Sequence, residues 1–223
     1  MVPLLKAHIE SSLTTLTPLA SMPRLALDVG CGEQPFRPLL ESLGYQYLSL
    51  DVDQNAAGTV DFIGAIDEPL PPELTSHGPF QLVLCTEVLE HVADWDCAFM
   101  HLSRLVAKHG KLVITCPHFY QLHEEPYDFW RPTPHALRFY AKRSNLRVVS
   151  LDAVGTGWDV LGTLLANCYA QPVDKRFLSR LASRTVSELR RYTFALLRGR
   201  YLQRLVRLQS SLYLSNIAIL ERS

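Results

Sequence analysis

The sequence predicts an α/β protein built on a mostly parallel sheet, and three observations carry that prediction. Short apolar stretches alternate with segments of helical length along residues 24–152. The first stretch, residues 25–29, runs straight into Gly30-Cys31-Gly32, the strand-then-turn pattern found at the carboxyl edge of such sheets. A second stretch ends at Asp51, about 20 residues further on, where a carboxylate can meet the two hydroxyls of a ribose. Helices placed between successive strands call for right-handed crossovers and parallel pairing.

Taken in order, residues 3–16 place Leu5, Ile9, Leu13 and Leu16 near helical spacing, closed by Pro18 and Pro23. The segment is expected as a helix on the sheet edge or over the ligand. Leu25, Leu27 and Val29 alternate as in a buried strand, and the glycines after them tolerate positive φ and admit a ligand to the backbone. Pro35 suits the first position of a helix, which should cover 36–43 and stop at Gly44. Strands follow at 47–50, 60–63 and 80–85. Asp94 should cap a helix reaching about 107, with Ala98, Leu102, Leu105 and Val106 on its apolar face and His109-Gly110 ending it. A fifth strand is expected at 111–116, a helix capped by Thr133 through about 142, a sixth strand at 146–151 and a last one at 216–220. Residues 158–212 read as two or three helices. The division is thus one domain: a helical segment at 1–23, a core at 24–152, a basic helical cap inserted at 153–212, and a final strand within 213–223.

Composition bounds the class. A chain of 223 residues, 48% hydrophobic and 20% charged, can bury one sizeable core. It contains no run of about 20 apolar residues that would span a membrane. Residues 1–23 lack the pattern of a signal peptide. Five cysteines, odd in number and without C-x-x-C spacing, point to a reduced, cytoplasmic protein without structural zinc. Net charge is zero but unevenly spread: residues 174–223 hold eleven Lys/Arg against three acids. Leu178, Leu181, Leu189, Phe194, Leu197, Leu205 and Leu208 recur there among Arg180, Arg184, Arg190, Arg191, Arg198, Arg200, Arg204 and Arg207. These amphipathic helices could rest on the acidic core, face an anionic partner, or pair two copies in a homodimer through the leucines. Nucleic acid is disfavoured, because no aromatic residues interleave the basic ones as a binding motif.

The glycine turn narrows the ligand. A dinucleotide fingerprint needs glycine at 35, where Pro35 stands, and a P-loop needs G-K-[ST], which is absent. DVGCGEQPF, YLSLDVD, FQLVLCTEVLEHV, KHGKLVIT and HEEPYDFWRPTPHALRFY, in that order, resemble a bacterial branch of the class I S-adenosylmethionine-dependent methyltransferases. Members of that branch accompany glycan and secondary-metabolite pathways. The resemblance implies a Rossmann-like seven-stranded sheet of order 3-2-1-4-5-7-6 with the last strand antiparallel. It also implies S-adenosylmethionine as cofactor, with Asp28, Gly30, Cys31, Gly32, Asp51, Val52, Ala65, Ile66 and Thr86 around it. Two positions depart from the family pattern: Gln34, where a third glycine is common, and Ala65, where an acid is common.

Methyl transfer from a sulfonium asks the protein for alignment, exclusion of water and, for some acceptors, a base. Glu87 and His91, four apart in TEVLEHV, share a face if that segment is helical. The loop after the fifth strand adds His118 and His123, both suited to proton removal near neutral pH. Glu87, His118 and His123 are therefore the catalytic candidates, and Tyr120, Tyr127 and Arg131 the candidates for binding substrate. His118, His123 and Glu124 could ligate a metal, but their spacing fits no familiar motif and none is expected. The favoured acceptor is a small polar molecule, anionic or carrier-linked, methylated on oxygen. N-methylation and a non-catalytic binding role are the alternatives. The N/D-P-P-Y/F signature of many amino-group enzymes is replaced by Thr86-Glu87-Val88-Leu89.

Overall fold

The computed structural model describes residues 3–198, 200–208 and 211–223, with the side chains of 198 and 200–202 left undescribed. Arg198 and Arg200 of the basic run thus lie outside the described side chains. Two compact units are present: Met1–His118 with Leu122–Val154 and Ser215–Ser223, and Phe119–Gln121 with Gly155–Leu214.

The first unit holds α1 (Pro3–Thr15), β1 (Leu25–Val29), α2 (Arg37–Ser42), β2 (Gln46–Asp51), β3 (Phe62–Ile63), α3 (Pro72–His77) and β4 (Phe80–Thr86). It continues with α4 (Trp95–Leu105), β5 (Val106–Pro117), α5 (Pro134–Arg143), β6 (Leu146–Val154) and β7 (Ser215–Arg222). Its seven strands lie in the order β3-β2-β1-β4-β5-β7-β6. Pairing is parallel from β3 to β5, and β7 runs antiparallel to both of its neighbours.

Every residue of β4 is buried, as expected of a central strand covered on both faces. Its side chains alternate between two clusters. Val83 and Cys85 join Leu27, Leu112 and Ile114 beneath Leu74 of α3, Phe99 and Leu102 of α4 and Leu137 of α5. Leu82 and Leu84 face the other way, with Ala26 and Val113, onto Leu5, Ile9 and Leu13 of α1 and Leu40 of α2. The expectation that α1 lies on an edge or over the ligand is therefore corrected. Three apolar residues at four-residue spacing make a stripe, and that stripe covers a sheet face. Each such side chain, fully buried, contributes about 1.5–3 kcal/mol.

Other boundaries moved for identifiable reasons. The third strand is Phe62–Ile63 because the Gln54 side chain occupies both backbone groups of Val60, at 2.8 and 3.1 Å. Asp61 likewise turns its carboxylate onto the amide and hydroxyl of Ser49. The fourth helix ends at Leu105, and Val106 already pairs with Phe80. The next partners are Leu82 and Lys111, so residues 107–110 form a bulge in which His109 takes φ 64°. Arg222 donates to the carbonyls of Arg104 and Val106, holding the helix end to the strand start.

The second unit contains α6 (Gly157–Asn167), α7 (Phe177–Arg198) and α8 (Arg200–Leu205). Asp159 caps α6 by accepting from the Thr156 amide and hydroxyl. Arg190 of α7 closes its other end, donating to the carbonyls of Leu165 and Ala166 and lying over the Tyr169 ring. Leu178, Leu189 and Leu196 of α7 are exposed within this unit. Among the described residues no helix is long and apolar enough to cross a membrane.

Candidate active site

The turn leaving β1 has the backbone its glycines allow. Gly30 takes φ 67°, and a Cβ there would fall 2.2 Å from Cγ2 of Val88. Gly32 takes φ 48°, and an added Cβ would meet nothing within 4 Å, so its backbone faces open space. Asp51, ending β2, accepts from the Gly32 amide through Oδ2 and from the Val52 amide through Oδ1, each at 2.8 Å. Each carboxylate oxygen keeps a lone pair for another donor. Gln34, where the resemblance calls for a third glycine, itself takes φ 56°. Its amide nitrogen donates to the Thr59 carbonyl and the Ser49 hydroxyl, ties that hold the strained turn without glycine.

Beyond this turn lies a cleft of about 740 Å³ at the carboxyl ends of β1, β2 and β4. Gly30, Gly32, Asp51, Val52, Ala65, Ile66, Glu87 and Tyr127 line it, together with Asp67, Val88, His91, Glu124 and Phe129. The remaining predicted residues stand off the lining. Asp28 is buried behind the turn and accepts the Tyr47 hydroxyl at 2.8 Å. Burial pushes its carboxyl up to about 7, opposed by that hydrogen bond and aided by the charge of Asp51. Cys31 is buried as well, which pushes its thiol up to about 12. Thr86 is buried at the end of β4.

TEVLEHV is not one helix. Glu87 takes φ 55°, and only Leu89–His91 form a 3-10 turn. The Glu87 amide donates to Oγ1 and the carbonyl of Thr115, turning its carboxyl into the cleft wall with Oε1 buried and without a hydrogen bond. Burial pushes this carboxyl up to about 7, against the lowering by the Thr115 hydroxyl. Next to it, Glu90 is pushed up to about 9 by burial and by the charge of Glu87.

Residues 122–131 are stitched to this turn. The Phe129 and Trp130 amides donate to the Glu90 carbonyl, the Trp130 indole donates to the Val92 carbonyl, and Nδ1 of His91 lies 2.8 Å from the Tyr127 carbonyl. His123 crosses His91 edge to face at 4.8 Å. Arg131 is bidentate on Asp128 at 2.6 and 2.7 Å, which holds that carboxyl well below the usual carboxylate range. His118 places Nδ1 3.2 Å from the Pro132 carbonyl, away from the cleft lining. Tyr120 belongs to the second unit. The residue that sequence reasoning overlooked is Glu90, an acid set in the apolar run V-L-E-H-V with a histidine beside it.

This arrangement offers an acidic clamp on a glycine turn, an open backbone, and a buried carboxyl across the cleft. The methyltransferase-domain family matches residues 6–151. No curated protein matches the sequence. Solved structures share its fold. A SAM-dependent methyltransferase from Archaeoglobus fulgidus is 16% identical with TM-score 0.59, over 98% of this chain and 93% of that one. An O-methyltransferase from a trans-AT polyketide synthase multienzyme of Brevibacillus brevis, in complex with S-adenosylhomocysteine, is 12% identical with TM-score 0.57, over 91% and 68%. A phosphoethanolamine N-methyltransferase of Haemonchus contortus, with phosphomonomethylethanolamine and S-adenosylhomocysteine, is 14% identical with TM-score 0.54, over 96% and 52%.

Proposed function

Because the chain belongs to the methyltransferase-domain family, we propose that it binds S-adenosylmethionine in this cleft and methylates an oxygen of a small polar acceptor. The observation that carries the reading is the Asp51 carboxylate, bound to the glycine turn yet with acceptor capacity left at the cleft. A vicinal diol supplies the two O–H donors that such a carboxylate can take. The open backbone at Gly32 leaves room for the methionine part, and Ala65 and Ile66 provide a wall for the adenine. When bound, the cofactor supplies an electrophilic methyl group on a sulfonium. The protein's part is then to hold that methyl in line with the acceptor and to remove the acceptor's proton.

Glu87 is the group for that proton, since the residue lines the cleft and its buried Oε1 has no hydrogen bond. A buried carboxylate facing a hydroxyl accepts its hydrogen bond and then its proton as the oxygen attacks. The N/D-P-P-Y/F signature is missing where Thr86-Glu87-Val88-Leu89 stands, which favours oxygen over nitrogen. The resemblance to the bacterial branch supports a sugar or secondary-metabolite acceptor. Calorimetry with S-adenosylhomocysteine on wild type and Asp51→Ala tests the cofactor reading. Heat with NAD or ATP and none with S-adenosylhomocysteine would sink it. A methyl-transfer screen read by mass tests the acceptor, and label found only on nitrogen would reject O-methylation.

A further inference from the structure

Glu90 is fully buried, and neither carboxylate oxygen has a hydrogen-bond partner. Leaving buried polar atoms without partners is costly, so this carboxyl implies something to satisfy it. Its Oε1 lies 3.8 Å from Nε2 of His91, and one ring nitrogen of His123 completes a group whose donor atoms all lie within 4.8 Å of one another.

Both rings are held from behind. His91 places Nδ1 2.8 Å from the Tyr127 carbonyl, and His123 places Nδ1 3.2 Å from Oδ2 of Asp128, with Nη2 of Arg131 3.4 Å from the same nitrogen. Asp128 is in turn fixed by Arg131. A ring N–H directed at a carbonyl or carboxylate is what orients metal-bound histidines and sets their tautomer.

We propose that Glu90, His91 and His123 bind one divalent first-row transition-metal ion at the wall of the cleft. Two imidazoles and a carboxylate suit manganese, iron, cobalt or zinc better than calcium or magnesium, which prefer oxygen alone. Donors about 2.0–2.2 Å from one ion stand roughly 3–3.5 Å apart, so the three side chains close by about 1 Å on binding. Glu124 lines the same cleft with Oε2 3.6 Å from Nε2 of His91, and is exposed enough to swing in as a fourth ligand. By spacing, His118, His123 and Glu124 formed no metal motif. The fold gathers a different set, with His91 and Glu90 in the place of His118. Use of the ion to hold and acidify an acceptor hydroxyl rests on the O-methylation reading above, whereas binding of the ion does not.

The test titrates the whole chain, first stripped with a chelator, with Co²⁺ read by visible absorption and with Mn²⁺ read by electron paramagnetic resonance. We expect saturable binding of one ion per chain, weakened at least about tenfold by His91→Ala, by His123→Ala and by Glu90→Gln. His135→Ala, an exposed histidine on α5, should bind as wild type does. Far-UV circular dichroism and thermal melts check that each variant is folded, and S-adenosylhomocysteine calorimetry is scored separately, so failure of the cofactor reading leaves the metal result standing. Absence of saturable binding in wild type overturns the proposal. So does a Co²⁺ spectrum unchanged in both histidine variants.

Discussion

Oδ2 of Asp51 lies 2.8 Å from the amide nitrogen of Gly32, so the acid that ends β2 holds the turn that leaves β1. One side chain thus shapes the turn and faces the cleft, and the two roles can be separated. Asp51→Asn keeps an oxygen for one amide and loses the charge, while Asp51→Ala loses both. Calorimetry should show S-adenosylhomocysteine affinity falling about tenfold or more in both. Thermal melts should show the larger loss of stability, on the order of 1 kcal/mol, in Asp51→Ala.

Gly30→Ala should be destabilising for two reasons that a second substitution can separate. At φ 67° a side chain is strained, and the new Cβ would lie 2.2 Å from Val88. We expect a loss of about 1–3 kcal/mol in urea unfolding. Adding Val88→Ala should recover the steric part and leave the backbone part. Strict additivity of the two single variants would show that the contact does not matter.

The Asp28 carboxyl, pushed up to about 7 by burial, makes stability depend on pH. Between the unfolded value near 4 and about 7, the folded protein holds a proton that the unfolded chain has released. This contribution is therefore full below about pH 4, declines as pH rises toward 7, and levels off above. Asp28→Asn keeps an oxygen for the Tyr47 hydroxyl and removes the titration. The stability difference between variant and wild type should grow in the variant's favour across that window, by up to about 4 kcal/mol. A difference independent of pH would contradict the assignment.

Glu87→Gln preserves shape and removes the proton acceptor. With an acceptor in hand, kcat should fall about 10²-fold or more while S-adenosylhomocysteine affinity stays within a few-fold. An unchanged kcat would assign Glu87 to the wall of the cleft alone.

What could be read from the sequence divides along physical lines. Leu25, Leu27 and Val29 declared their strand by alternation, whereas residues 80–85 declared theirs as a short apolar run, the mark of a strand buried on both faces. Asp51 declared its place because the spacing from one strand end to the next is nearly constant in these folds. Val60 deceived, since nothing local says that the Gln54 side chain will occupy its backbone groups. Arg131 is a candidate for binding substrate, and nothing in its own position announces the pairing of its guanidinium with Asp128, three residues away. Glu90 stayed hidden because an acid between Leu89 and His91 looks like any exposed charge until its burial is seen.

The place of β7 has a consequence for how the molecule comes into being. It fills the slot between β5 and β6, yet 60 residues separate the end of β6 from its first residue. On a ribosome, those two strands emerge long before the one that joins them. Until it arrives, each presents a row of unmatched amides and carbonyls, the kind of margin that recruits foreign strands. The period of greatest exposure to aggregation is therefore the time needed to synthesise residues 155–214. A chaperone or a slow codon would matter most there.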